Sequence, residues 1–217
     1  MTRPTRRDVL VAGVGLAGAT AGCLSNATED DGTPTSTGAG AGDLLPTPVA
    51  GDPDADVTVA VYEDYACPHC RTYSEEVFPQ VEEIYLSAGT VRYEFHDFPI
   101  PVDETVSWQA ASAARAVQDS LGDAAFFTYE SRLFENQGRL GPDVYAELTD
   151  GLDVDGETVR ASATSEQYRP TVAADRQAGL DRGIQGTPTV LVDGEPVQWS
   201  EVAFEPVRDA IEAARSA

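Results

Sequence analysis

Lysine is absent from this chain of 217 residues. All 14 basic side chains are arginine, against 37 aspartates and glutamates, and the formal net charge is −23. That shortage leaves no basic patch and excludes nucleic-acid binding, which rests on Lys and Arg neutralising phosphates. Cysteine is scarce: only Cys23, Cys67 and Cys70 are present, too few for a disulfide framework. A comfortable membrane-spanning helix is lacking too, because the apolar run from Val9 to Gly22 has 14 residues where ~20 are needed. What remains is an ordinary apolar content of 41%, enough for one domain with a core of its own plus short extensions.

The acids are spread along the chain and not massed in a tail, which points to habitat more than to a partner. At 1 M salt the Debye length falls to roughly 3 Å, so self-repulsion is screened and hydrated carboxylates keep the chain soluble. The pattern resembles that of salt-in halophilic archaea.

The N-terminus reads as an address. A basic start (Arg3, Arg6, Arg7), an apolar stretch and small residues up to Cys23 make a signal peptide over residues 1–23. Thr5-Arg6-Arg7-Asp8-Val9-Leu10 resembles the twin-arginine export motif, and Thr20-Ala21-Gly22-Cys23 resembles a lipobox with Thr20 in place of the usual Leu. Cys23 is then the lipidated first residue of the mature chain. Residues 24–43, rich in Ser, Thr, Gly, Ala and acids, read as a flexible tether. Together these place the domain at 44–217 on the outer face of the cell membrane, where disulfides persist.

Within that domain, Val57–Tyr62 is apolar and β-branched and reads as a strand buried on both faces. Tyr73, Val77, Phe78, Val81, Ile84 and Tyr85 recur at helical spacing, with a kink or break expected at Pro79 and an end at Gly89. Val91–Phe95 alternates as a second strand, which makes a parallel βαβ unit. Residues 103–183 read as a run of helices. Thr189–Val192 is a third strand, Asp193-Gly194 a two-residue hairpin turn, Pro196–Trp199 a returning edge strand, and 205–215 a closing helix. This order is an α/β thioredoxin fold with an inserted helical subdomain.

The chemistry sits in Cys67-Pro68-His69-Cys70, which follows the first strand and opens the first helix. Disulfide exchange needs one thiolate to attack and a second thiol to resolve the mixed disulfide. A C-x-x-C on a first helical turn puts the first sulfur at the open end and the second one turn inside. Cys67 is therefore the nucleophile and Cys70 the resolving thiol, with Pro68 at a position where the helix tolerates it. The helix charge lowers the thiol pKa by about one unit; hydrogen bonds from main-chain N–H groups of 69 and 70 and the His69 side chain are candidates for the remainder. Structural zinc commonly takes a second Cys/His pair, and the other histidine, His96, stands alone. Haem attachment needs His where Arg71 stands. A plain structural disulfide and a metal-binding lipoprotein, such as a metallochaperone, are the alternatives. No cofactor is expected.

Several segments together resemble the DsbA-like branch of the thioredoxin superfamily. They are Gly51–Val57, Asp64–Cys70, Phe95-His96-Asp97-Phe98-Pro99, Leu133-Phe134-Glu135-Asn136-Gln137 and Gly183–Thr189. The resemblance implies that Cys67 and Cys70 form the redox pair, that Pro188 is cis, and that the Thr187 backbone pairs with an extended substrate segment. Val61 stands where some relatives carry a buried acid. Glu63 or Asp64 could assist proton transfer instead, against an ordinary surface or capping role. His96, Trp108 and Trp199 read as structural. The function expected is extracytoplasmic oxidation of exported protein thiols, with an unidentified redox partner recycling the enzyme; a reductase or isomerase is the rival within the class.

Overall fold

The computed structural model describes residues 44–217. The signal peptide, Cys23 and the tether lie outside them. The elements are β1 (Val49–Gly51), β2 (Val57–Glu63), α1 (Pro68–Thr72), α2 (Phe78–Val81), β3 (Val91–Asp97), α3 (Glu104–Leu121), α4 (Asp123–Glu135), α5 (Pro142–Glu147), α6 (Gly156–Thr164), α7 (Arg169–Asp181), β4 (Thr189–Val192), β5 (Glu195–Pro196) and α8 (Phe204–Arg215). The sheet order is β1-β3-β2-β4-β5, with β2 and β3 parallel and the other pairs antiparallel. The expected βαβ unit and helical insert are both present, so the chain is an α/β thioredoxin fold interrupted by α3–α7.

Burial follows strand parity. Val57, Val59 and Val61 face the larger core with Val81, Phe95, Phe126, Val207 and Ile211. Ala60 and Tyr62 face the opposite side with Phe98, Ile184 and Leu191. The end of α7 lies very close there: a Cβ on Gly179 would stand 2.7 Å from the Phe98 ring and 3.0 Å from Tyr62, so only glycine fits.

The helix after Pro68 is not a plain α-helix. π-helical turns at Tyr73–Val77 and Glu82–Leu86 flank α2. Pro79 has no N–H for the carbonyl four residues back, and its ring crowds that carbonyl. The expected break is resolved as a wider turn, in which Phe78 N–H bonds the Tyr73 carbonyl. The wide turns lengthen the apolar period to four, so Tyr73, Val77, Val81 and Tyr85 are all buried. Ile84, expected on the apolar face, is 48% exposed for the same reason.

One further expectation is corrected, and one strand was not expected. The returning strand covers only Glu195–Pro196, although the hairpin turn is as expected, with φ of 49° at Asp193 and 84° at Gly194. Past Pro196 the pairing is limited to Val197 N–H on the Val190 carbonyl. The short edge strand β1 carries no periodic signal in sequence. Gly51 ends it at φ +79°, where a Cβ would stand 2.4 Å from the Val91 carbonyl oxygen.

A buried ionic cluster ties the insert to the sheet. Arg115 on α3 is fully buried. Its Nε donates to Asp97 Oδ2 (2.7 Å), Nη2 to Asp175 Oδ2, and Nη1 to Gln118 Oε1 (2.8 Å) and the Pro46 carbonyl (3.1 Å). His96 stacks on Tyr62 at 4.5 Å between Glu94 and Asp175, each 3.6 Å away, a structural role as expected. Trp108 lies under the Arg169 guanidinium at 4.0 Å, and Trp199 meets Tyr73 edge-on at 6.1 Å.

Candidate active site

Strand β2 delivers the chain to the motif through a side-chain-stapled turn. Asp64 Oδ1 accepts the Ala66 N–H (2.7 Å), and the Asp64 carbonyl accepts the Cys67 N–H (3.0 Å). Its other oxygen, Oδ2, accepts from Ile100 N–H (2.6 Å) and Ser107 Oγ (2.9 Å). Asp64 thus staples the turn before the helix and neither caps α1 nor lies at the surface, the roles weighed from sequence; its burial raises its pKa against these bonds.

Cys67 is the N-cap residue of α1, with extended φ −82° and ψ 120°, and Pro68 takes the first helical turn. The Cys67 carbonyl accepts the N–H groups of Cys70 (3.1 Å) and Arg71 (3.2 Å). Cys67 Sγ donates to the Thr187 carbonyl at 3.4 Å, across the sheet top from the β4 approach. The Thr187–Pro188 peptide bond is cis, as the resemblance implies. Pro68 and His69 are exposed on the rim, whereas Cys70 is fully buried and accepts the Asp64 N–H on its Sγ at 3.4 Å. Cys67, Cys70, Thr187 and Pro188 are therefore brought together.

The two sulfurs are driven apart electrostatically. The Cys67 thiol is lowered from 9.0 to about 5, chiefly by the Cys70 thiol and against its burial, with the Thr187 side chain and the main-chain N–H groups of Cys70 and His69 assisting. Burial pushes Cys70 well up, reinforced by its bond to Cys67 and by the charge of Glu63. It is the His69 backbone that acts on the sulfur.

Two acids lie beneath the pair. Glu63 is 1% exposed and Glu130, on α4, is 2% exposed. Burial raises both, and Glu130 and Cys67 raise Glu63 further, so the pair holds a proton at neutral pH. Glu63 Oε1 has no hydrogen-bond partner. The surface role weighed for Glu63 is thus corrected. The available signal was parity: residue 63 continues the series 57, 59, 61 onto the core face. Glu130 had no such signal. Gln137 was visible only as part of a motif, yet its amide donates to the carbonyls of Tyr65 and Cys67, both at 2.9 Å.

A family model described as thioredoxin matches residues 44–213. The chain belongs to the thioredoxin family. Among curated proteins, this thioredoxin-family chain is 27% identical over 175 residues to disulfide bond formation protein D of Bacillus subtilis, covering 76% of this chain and 75% of that protein. Among solved structures, oxidised BdbD from Bacillus subtilis superposes with a TM-score of 0.72 at 25% identity, over 79% of this chain and 94% of the other. DsbA of Chlamydia trachomatis, at 21% identity, shares the fold with a TM-score of 0.69 over 78% and 90% of the two chains. The chain is a DsbA-like protein-disulfide oxidoreductase of the thioredoxin superfamily.

Proposed function

We propose that this oxidoreductase is an extracytoplasmic dithiol oxidase working in molar salt, held to the outer face of the membrane through Cys23. The observation that carries the direction is the stabilised Cys67 thiolate opposite a buried, protonated Cys70. A stabilised thiolate stabilises the reduced enzyme and so makes its disulfide the stronger oxidant. At pH 7, a pKa of about 5 in place of 9.0 is worth ~2.7 kcal/mol, or ~60 mV.

The steps follow from the residues present. A thiolate of an exported protein attacks Cys67 Sγ of the Cys67–Cys70 disulfide. The sulfur–sulfur bond breaks, its electron pair passes to Cys70, and Glu63 supplies the proton. A second substrate thiolate then attacks the substrate sulfur of the mixed disulfide, and Cys67 leaves as its stabilised thiolate. Substrate is oxidised by two electrons, and these pass to a redox partner that restores the disulfide. Thr187, whose carbonyl stands 3.4 Å from Cys67 Sγ, is placed to pair with an extended substrate backbone beside Pro188. Among the described residues no helix is long and apolar enough to cross a membrane, so the anchor rests on the sequence of residues 1–23.

The test is the reduction potential in molar salt, with Cys67→Ser as control. Exchange activity is expected to vanish in the variant, and the wild-type couple to lie well above the ~−270 mV of thioredoxin. A value near thioredoxin's would overturn the oxidase reading in favour of a reductase. Stoichiometric metal with no exchange activity would overturn the catalytic reading itself. For the anchor, mass spectrometry of the mature N-terminus is expected to find a lipidated Cys23; an unmodified Cys23 or cleavage beyond it would rule the anchor out.

A further inference from the structure

We infer that Gln137 is a positioning residue for the redox site, holding the loop before α1 in the geometry that sets Cys67 at the helix N-cap with its Sγ against the Thr187 carbonyl. The inference deepens the oxidoreductase reading and rests on it. Both hydrogens of one amide are used, one on each of two carbonyls spaced two residues apart, and these flank the peptide that carries Cys67 into the helix. Carbonyl oxygens at 65 and 67 are negative dipole ends in the loop whose sulfur must hold negative charge, and a donor on each offsets part of that charge.

Gln137 is itself held firmly. It opens the short 3-10 turn Gln137–Arg139 after α4. The preceding Asn136 donates through Nδ2 to the Arg132 carbonyl (2.8 Å) and accepts from Arg139 Nε (2.9 Å), and Arg139 pairs with Glu147. The same end of α4 also grips the loop through a ring contact: Phe134 stacks on Tyr65 at 4.9 Å. The insert therefore contacts the active-site loop at a buried ring and at two carbonyls, from 70 residues away in sequence. That arrangement gives the inserted helices a task in tuning the sulfur and not only in covering it.

The experiment compares wild type with Gln137→Glu and Gln137→Leu in molar salt. The first keeps the shape but puts one carboxylate oxygen where Nε2 faces both carbonyls; the second removes both donors without adding charge. Thiolate absorbance is followed against pH, and circular dichroism checks the fold. The Cys67 titration is expected to rise by about one unit in Gln137→Leu, the deciding variant, and by more in Gln137→Glu, where the new charge adds to the loss of the donors. The exchange equilibrium is expected to shift about tenfold toward the disulfide, a potential ~30 mV lower. A purely structural role would lower the melting temperature and leave the titration where it was, and that result overturns the inference.

Should both variants fail to fold, wild-type NMR decides. The Gln137 side-chain amide protons are expected to resist solvent exchange and to move with the Cys67 titration; freely exchanging, unresponsive protons would overturn the inference equally. The thiolate titration requires no turnover. A wild-type potential near thioredoxin's, with the variant shifts intact, would therefore remove the oxidase reading and leave the role of Gln137 standing.

Discussion

At pH 8 the dithiol form will resist denaturant better than the disulfide form, and the order will reverse as the pH falls toward 5. Intuition favours the cross-linked form, but the loop it closes is only four residues. By chain entropy such a bridge is worth about 2 kcal/mol. Against it stands the Cys67 thiolate. Its pKa is lowered on folding, so its contribution is complete above the unfolded value of 9.0 and is lost as the pH drops through about 5. At pH 8 it amounts to ~4 kcal/mol, and at pH 4 to almost nothing. The two terms cross between about pH 6 and 7. His96, raised by Asp175 and Glu94 against its burial, and Glu94, lowered by His96 and Arg92, titrate in both redox forms, so their effects cancel in the difference. Paired denaturant titrations of the two forms across this range check the prediction. A disulfide form that is the more stable at every pH would mean that the thiolate is not specially held and that the enzyme is no strong oxidant.

Replacing Arg115 with leucine is expected to cost about 3–5 kcal/mol, the largest loss for any single ionic side chain in the domain. The reason is less the lost attraction than what stays behind. Asp97, 1% exposed, loses the Nε–H on its Oδ2 and keeps an Oδ1 that already has no partner. Burial pushes Asp97 up to about 6 even with the guanidinium present. Without the cation its charged form is harder still to hold, so the variant's stability should fall further on raising the pH through neutrality. Salt offers no relief. A Debye length of ~3 Å in molar salt silences pairs in the solvent, but Arg115 and Asp97, 0% and 1% exposed, lie out of reach of those ions. Arg139 and Glu147, 51% and 58% exposed, serve as the internal control: breaking that pair in molar salt should change little. Midpoints of urea unfolding for Arg115→Leu and Arg139→Leu, measured in the same salt, test the contrast. A loss below ~1 kcal/mol at Arg115 would show that the cluster is not the joint between insert and sheet.

What could be read from the sequence was whatever is written locally. The strand at 57–62, the first-turn cysteines, the Asp193-Gly194 turn and the proline before β4 each carry their signal within a few residues. The same locality explains the failures. Strand β1 has three residues and exists because β3 offers an edge, which no pattern at 49–51 announces. The π-helical turns are a compromise between Pro79 and the demand that Tyr73, Val77, Val81 and Tyr85 all reach the core; the proline announces an interruption of the helix but not the form it takes. Glu63 could have been placed by parity, but its meaning depends on Glu130, 67 positions away and on another element. Gln137 belonged to a segment whose resemblance marked the family without saying what the side chain touches.

The first residues of the domain have a mechanical consequence. The Leu45 N–H bonds Thr171 Oγ1 at 3.2 Å, the Pro46 carbonyl takes Arg115 and Gln118, and the Val49 N–H bonds Asp123 at 3.0 Å before β1 joins the sheet edge. A pull on residue 44 is thus resisted first by α7 and α3, and then by β3, whose Phe95 N–H bonds the Pro48 carbonyl at 3.1 Å, and by α4. Force applied to residue 44 falls first on the helices of the insert and then on the outer edge of the sheet, whereas the cysteine pair follows the far end of β2, away from the residues that take the load.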